Sequence, residues 1–146
     1  MQYCRSSDRF REGPLKRYAI LYLVTLIVII PLDVLFLGVI AKPFFKAQVG
    51  DMLGDLNILP AVIFYLLYTL GVLIFVTGSP NTSIQSSLIY GALFGLFAYA
   101  TFDLTALATL KHWSWPAAFA DVSWGAVVTA ISATAGLAAA RAFASA

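Results

Sequence analysis

Four long apolar runs constrain this chain more than any other feature of its sequence. They cover residues 18–41, 58–77, 87–110 and 116–140. The hydrocarbon core of a bilayer is about 30 Å thick and a helix rises about 1.5 Å per residue, so about 20 apolar residues cross it once. Each run reaches that length. The sequence therefore predicts an all-α polytopic membrane protein, a bundle of four transmembrane helices joined by short loops.

The composition agrees with a membrane class and excludes several others. Charged residues make up 11% of the 146 residues, whereas soluble domains carry roughly 25%. The length favours one domain, which we divide into a polar N-terminal tail, residues 1–14, and a four-span transmembrane domain, residues 15–146. A net charge of +2 is too small to indicate a nucleic-acid partner. Membrane lipids are the expected partners.

Proline and basic residues predict how the runs are arranged. Pro60 and Pro116 lie near the starts of the second and fourth runs, where proline suits a first helical turn. Pro31 lies inside the first run and predicts a kink there. Basic residues near the run ends number six on the side of the termini and three on the other side. By the positive-inside rule, both termini are predicted on the cytoplasmic side of a bacterial inner membrane, or on the equivalent side of an organellar membrane.

Three carboxylates interrupt the apolar runs, which contain no Lys or Arg to neutralise them: Asp33, Asp103 and Asp121. Their offsets from the run ends place them about 12, 10 and 8 Å from the same membrane face, because neighbouring helices are antiparallel. Tyr65 lies at the matching depth on the second run. Ionisable residues inside a membrane are costly, and they are candidates for a functional site.

Small residues recur at helical spacing beside two of these carboxylates. One ladder is Gly91, Gly95, Tyr99 and Asp103, and the other is Ala117, Asp121, Gly125, Thr129 and Ala133. Small residues four apart let membrane helices approach closely. We therefore expect Asp103 and Asp121 on faces where helices pack, rather than facing lipid.

Two interpretations of the carboxylates stay open at this point. In the first, each Asp links two helices by a hydrogen bond to a Tyr, a Trp or the backbone of the other helix. In the second, each Asp is part of a pocket that binds a proton-linked or polar ligand. The first suits an accessory or structural subunit of a larger membrane complex, with other membrane subunits as partners. In the second, carboxylates that cluster are expected to share a proton. The ligand-binding candidates are Asp33, Tyr65, Tyr99, Asp103, Thr105, Asp121 and Trp124.

Catalysis is less favoured by the motifs. A divalent metal held by the three carboxylates and His112 is conceivable by ligand type, but no HExxH or histidine-rich spacing accompanies them. The chain also contains no phosphate-binding loop and no nucleophile elbow. We therefore expect no metal, no cofactor and no catalytic residues, and a binding or structural role rather than an enzymatic one.

Several segments together resemble the DUF2177 family of small four-helix membrane proteins. They are residues 64–68, 91–105, 108–111 with Trp113, and 121–125, of which the stretch Tyr-Ala-Thr-Phe-Asp-Leu-Thr at 99–105 is distinctive. Asp33 with Leu37 and Gly38 also fits, and the resemblance covers about residues 15–137. Phe36 stands where the family has Trp, and Ala106 where Asn is usual. The resemblance implies the four-helix fold and points to the same carboxylates, without implying an activity.

Overall fold

A computed structural model describes the backbone of residues 5–144 and the side chains of residues 13–143. Within this part of the chain lie five α-helices: α1 (Arg5–Leu35), α2 (Lys42–Val49), α3 (Ile58–Val72), α4 (Ile84–Thr109) and α5 (Trp115–Ala144). π-Helical segments extend α1 over Phe36–Ile40 and α3 over Leu73–Thr77. A 3-10 turn, Gly50–Met52, follows α2. Residues 1–4 of the polar tail lie outside the described residues, and α1 begins within that tail.

Four helical segments are long and apolar enough to cross a membrane: Gly13–Ile40, Ile58–Thr77, Ile84–Thr109 and Trp115–Phe143. They correspond one to one with the four predicted runs, and no strand occurs among residues 5–144. The predicted all-α, four-span fold is therefore confirmed.

Side chains of the connecting loops cap the helices that follow them. Asn57 Oδ1 accepts a hydrogen bond from the N–H of Leu59, Ser83 Oγ from that of Ser86, and Ser114 Oγ from that of Ala117, at 3.3, 3.0 and 3.2 Å. Each cap satisfies one of the N–H groups that a helix start leaves without a partner. Helices α3, α4 and α5 therefore begin where the sequence supplies a capping side chain.

Pro31 does not end α1, although it lies inside the helix. The α-helical pattern continues to Leu35 and then gives way to the π-helical segment Phe36–Ile40. The kink at Pro31 stays a prediction, since the change of helix type occurs several residues further along.

Helix α5 is the centre of the bundle and packs along both α4 and α1. Small residues permit this: a Cβ on Gly95 of α4 would overlap the carbonyl oxygen of Gly125, and one on Gly136 would overlap Thr25 Oγ1 of α1. Helix α3 makes fewer contacts with α1 and reaches α4 and α5 mainly through its π-helical end. The bundle is consequently close-packed around α5 and more open between α1 and α3.

The short helix α2 was not predicted, because its eight residues lie in a stretch that the hydropathy pattern assigns to a loop. Val49 of α2 is buried, and Gln48 Oε1 accepts a 2.8 Å hydrogen bond from Ser114 Oγ in the α4–α5 loop. Helix α2 is therefore fixed against the same end of the bundle at which the loop 110–114 lies.

Candidate functional site

Asp33 of α1 is buried, with 1% of its surface exposed, and it joins all four membrane-spanning helices. Its Oδ1 accepts a hydrogen bond from Trp124 Nε1 of α5 at 2.7 Å. Its Oδ2 accepts one from the Tyr65 hydroxyl of α3 at 3.0 Å and a longer one from the Tyr99 hydroxyl of α4 at 3.4 Å. Three neutral donors from three helices thus converge on one carboxyl group.

These donors compensate for removing the carboxyl group from water. Hydrogen bonds to a charged acceptor are stronger than those between neutral groups, and a buried polar group without them is costly. Among residues 13–143, no basic side chain forms a salt bridge with Asp33; His112 lies 4.0 Å from Asp51 instead, with both side chains exposed. Asp33 is therefore held by dipoles, without a salt bridge to any described side chain.

Aromatic rings surround the Asp33 carboxyl group. The Trp124 indole stacks on Phe36 with the ring centres 4.0 Å apart and 10° between the planes. Tyr68 packs edge-on against Tyr99 at 6.2 Å, and its hydroxyl is 2.7 Å from Thr129 Oγ1 of α5. Because each ring is fixed by a neighbour, the three donors to Asp33 are positioned by packing as well as by their hydrogen bonds.

The other two carboxyl groups form a second polar group, at the α4–α5 contact. Asp103 is fully buried, and its Oδ1 accepts a 3.0 Å hydrogen bond from Trp113 Nε1. Its Oδ2 is buried without a hydrogen-bonding partner among the described residues. The carboxyl group of Asp121 is an electrostatic neighbour of both Asp103 and Asp33. The three carboxyl groups are therefore near one another, and their common depth in the membrane stays a prediction.

The structure gathers most of the predicted site residues and separates one from them. Asp33, Tyr65, Tyr99 and Trp124 form one hydrogen-bonded group, and Asp103 with Asp121 forms the neighbouring pair. Thr105 is exposed on α4, and its hydroxyl donates to the carbonyls of Thr101 and Phe102 at 2.7 and 2.8 Å. Thr105 therefore satisfies its own helix and is not brought to the carboxyl groups.

Sequence reasoning missed the role of Trp113, which it names as part of the family resemblance. The residue lies ten positions after Asp103, in the α4–α5 loop, and the loop folds back so that the indole reaches Asp103 Oδ1. The pairing of Tyr68 with Thr129 was also missed. The sequence did indicate that Tyr68 faces the site, because it lies three residues after Tyr65 and so on the same face of α3.

A cavity of about 440 Å³ joins the two polar groups. The carboxyl-bearing residues Asp33 and Asp121 both line it. Five aromatic residues contribute to its wall: Phe64, Tyr65, Tyr68, Tyr99 and Phe102. Among residues 13–143, no Lys, Arg or His lines it. We call it the aromatic cavity; acidic and aromatic groups are the two kinds of side chain that attract organic cations.

A larger apolar groove of about 630 Å³ runs between α1 and α3. It is lined mainly by aliphatic side chains, including Leu26, Ile30 and Leu66. Four residues line both the groove and the aromatic cavity: Asp33, Leu37, Ala61 and Tyr65. The two spaces therefore meet at Asp33, one with an apolar wall and the other with an acidic, aromatic one.

Comparison with known families supports the architecture independently. A family model described as "Predicted membrane protein (DUF2177)" matches residues 18–138, which is most of the chain and all four spans. The chain belongs to the DUF2177 family. Comparisons with curated proteins and with solved structures gave no match.

All of the residues that form the two polar groups of this DUF2177 protein lie within the matched region. Phe36, which stands where the resemblance leads one to expect Trp, stacks on Trp124 and so still contributes an aromatic ring beside Asp33. Ala106 is buried one turn after Asp103, where an Asn would place an amide near the carboxyl pair. The described residues of the DUF2177 protein include no group of three or more His, Cys, Asp or Glu side chains arranged to hold a metal ion.

Proposed function

We propose that this integral membrane protein binds an amphiphilic organic cation, whose charged head occupies the aromatic cavity and whose apolar chain lies in the α1–α3 groove. One observation carries the proposal: two carboxyl-bearing residues and five aromatic residues line a single cavity, and no basic residue of the described part of the chain lines it. Organic cations, quaternary ammonium groups above all, are attracted to the faces of aromatic rings. A ligand of this kind would use every chemical feature of the cavity.

The adjoining groove supports an amphiphile over a fully polar ligand. The groove and the cavity share Asp33 and Tyr65, so an apolar chain in the groove would lead directly to the carboxyl groups. Residues of the groove wall such as Val34 and Val62 are exposed at the bundle surface, which in a membrane faces lipid. A membrane-dissolved ligand could therefore enter sideways from the bilayer without passing through water.

A binding measurement with two matched probes tests this function. The protein in lipid nanodiscs is titrated with dodecyltrimethylammonium and, separately, with uncharged dodecanol, each against empty nanodiscs. We expect saturable binding of the cation and at least about tenfold weaker binding of dodecanol, equal to about 1.4 kcal/mol. Equal binding of the two probes, or none above the empty nanodiscs, would refute the proposal.

Two tryptophan substitutions control for position. Leu37 lines both the cavity and the groove, so Leu37→Trp fills the site and should abolish cation binding. Val39 lies two residues further on and is 65% exposed, so Val39→Trp should bind as the wild type does. A second protein that co-purifies in constant stoichiometry, together with absence of cation binding, would favour an accessory-subunit role instead.

We also infer that both termini face the cytoplasm or its organellar equivalent, since the basic residues near the span ends are more numerous on that side. Cys4 is the single cysteine of the chain. In a Cys4→Ser background, a membrane-impermeant maleimide added outside intact cells should label His112→Cys but not Asn81→Cys. The reverse labelling pattern would contradict the orientation.

A further inference from the structure

The register of α4 against α5 places Asp103 opposite Asp121. The two helices are antiparallel neighbours, and the Tyr99 ring covers the position where a Cβ on Gly125 would lie. Asp103 follows Tyr99 by four residues and Asp121 precedes Gly125 by four, so the next turn of this contact brings the two carboxyl groups face to face. The two carboxyl groups are also electrostatic neighbours, as that register requires.

One oxygen of Asp103 is buried without a donor among the described residues. Trp113 serves Oδ1 of Asp103, whereas Oδ2 is buried and receives no hydrogen bond among the described residues. Asp103 is 0% exposed, and a buried acceptor in that state costs free energy. The group beside it is a second carboxyl, which can donate only when it carries a proton. A single proton on the pair supplies the missing hydrogen bond and removes the repulsion between two carboxylates.

The groups that face the pair are acidic or phenolic, apart from one indole. Asp33 of α1, Tyr65 and Tyr68 of α3, and Tyr99 of α4 line the cavity together with Asp121. The charged and titratable side chains of α2 and the nearby loops are exposed instead: Lys42, Lys46, Asp51, Asp55, Lys111 and His112. Among residues 13–143, no basic side chain forms a salt bridge with Asp103 or Asp121. No described side chain thus forms a salt bridge that could take the place of the proton.

We propose that Asp103 and Asp121 hold one exchangeable proton between them, and that this proton leaves when a cationic head enters the aromatic cavity beside Asp121. In that step the carboxyl O–H bond breaks, the proton passes to water at the membrane face where the loop 110–114 lies, and the two carboxylates remain beside the cation. The release of the proton on cation binding rests on the proposed function. The shared proton itself does not rest on that function.

Infrared spectroscopy of the ligand-free protein tests the shared proton. In nanodiscs at neutral pH, the wild type should show the carbonyl stretch of a protonated carboxylic acid, shifted by exchange into D2O. Asp103→Asn and Asp121→Asn should each lose that band, because the new amide donates to the remaining carboxylate. Asp33→Asn and the exposed Asp51→Asn should keep it. Absence of the band in the wild type overturns the proposal even if no variant folds, as does its persistence in both pair variants.

Calorimetry in buffers of different ionisation enthalpy tests the linked release. Dodecyltrimethylammonium does not titrate, so any proton released on binding comes from the protein. We expect about one proton released per cation bound by the wild type and none by Asp121→Asn. Binding without proton release would overturn the linkage while leaving the proposed function intact. Absence of binding together with a normal infrared band would overturn the proposed function and, with it, the linked release, while the shared proton would stand.

Discussion

The α4–α5 contact and the α1–α3 contact of this bundle are built from different kinds of residue. Across the first, Gly91 and Gly95 bring the α4 backbone against α5, so that a Cβ on Gly91 would lie 3.0 Å from Ala130 Cα. Across the second, branched and aromatic side chains such as Ile30 and Tyr65 hold the helices apart and leave the apolar groove. Small residues make a close contact in lipid, where van der Waals packing does much of the work of helix association.

Polar groups serve the two contacts differently as well. The Asp103–Asp121 pair lies inside the close contact and depends on one indole from the loop. Asp33 lies where the open contact meets the rest of the bundle, and its three donors come from three other helices. We infer that backbone packing holds α4 to α5, while the Asp33 hydrogen bonds do much of the work of holding α3 beside α1.

Gly95→Ala should lower the free energy of unfolding the most, because the new methyl group would meet the backbone of α5 at the α4–α5 contact. The new methyl group would overlap the Gly125 carbonyl oxygen and lie 2.5 Å from Thr129 Oγ1. Backbone atoms cannot move aside cheaply, so we expect a loss of about 3 kcal/mol or more, the upper part of the range for overpacked cores. The free energy of unfolding can be measured in mixed micelles titrated with SDS.

Gly38→Ala is the matched control for that substitution, since a Cβ there meets nothing within 4 Å. It should leave the free energy of unfolding unchanged or raise it slightly through better helix propensity. If Gly95→Ala is as well tolerated as Gly38→Ala, the close contact is not made by backbone approach, and the contrast between the two regions fails.

The α4–α5 contact was largely predictable from sequence, whereas the α1–α3 contact was not. The spacing of Gly91, Gly95 and Asp103 identifies the face of α4 that packs, because four-residue steps return to one side of a helix. The same rule excludes Thr105, which lies two residues after Asp103 and therefore on another face. Applied strictly, helical spacing would have kept Thr105 out of the candidate site.

The partners of Asp33 could not be derived in that way. Helix α1 carries no comparable ladder of small residues, so nothing local in its sequence sets its rotation relative to α3, α4 and α5. The convergence of Tyr65, Tyr99 and Trp124 depends on how four helices are assembled. Hydropathy and length predict that four spans exist, whereas the side chains that meet between them follow from packing of the whole bundle.

Asp33→Ala should lower the free energy of unfolding by an intermediate amount, because it weakens the α1–α3 contact. Interhelical hydrogen bonds average about 0.6 kcal/mol in a membrane protein, and unsatisfied buried donors cost about 1–3 kcal/mol in soluble cores. Loss of three bonds is offset in part by no longer burying a carboxyl group. We expect a net loss of about 2 kcal/mol by the same SDS titration.

Asp33→Asn distinguishes hydrogen bonding from charge in that result. The amide oxygen can still accept from Trp124 or Tyr65, so the variant should lose less than half of what Asp33→Ala loses. Equal losses in the two variants would show that the ionised carboxylate itself stabilises the bundle. An unchanged free energy of unfolding in Asp33→Ala would show that Asp33 does not hold α3 beside α1.

Gly71→Ala should have the smallest effect, although its new Cβ also meets a neighbouring helix. The atom it would approach is Phe94 Cζ, at 2.9 Å, which is the far end of a side chain that can turn on its χ angles. Alanine also favours the helix over glycine by about 1 kcal/mol, which offsets the displacement of the ring. The expected net change in the free energy of unfolding is therefore below about 1 kcal/mol in either direction. A loss as large as that of Gly95→Ala would mean that α3 is packed as rigidly as α4, and the groove beside it would then be too stiff to admit a ligand from the bilayer.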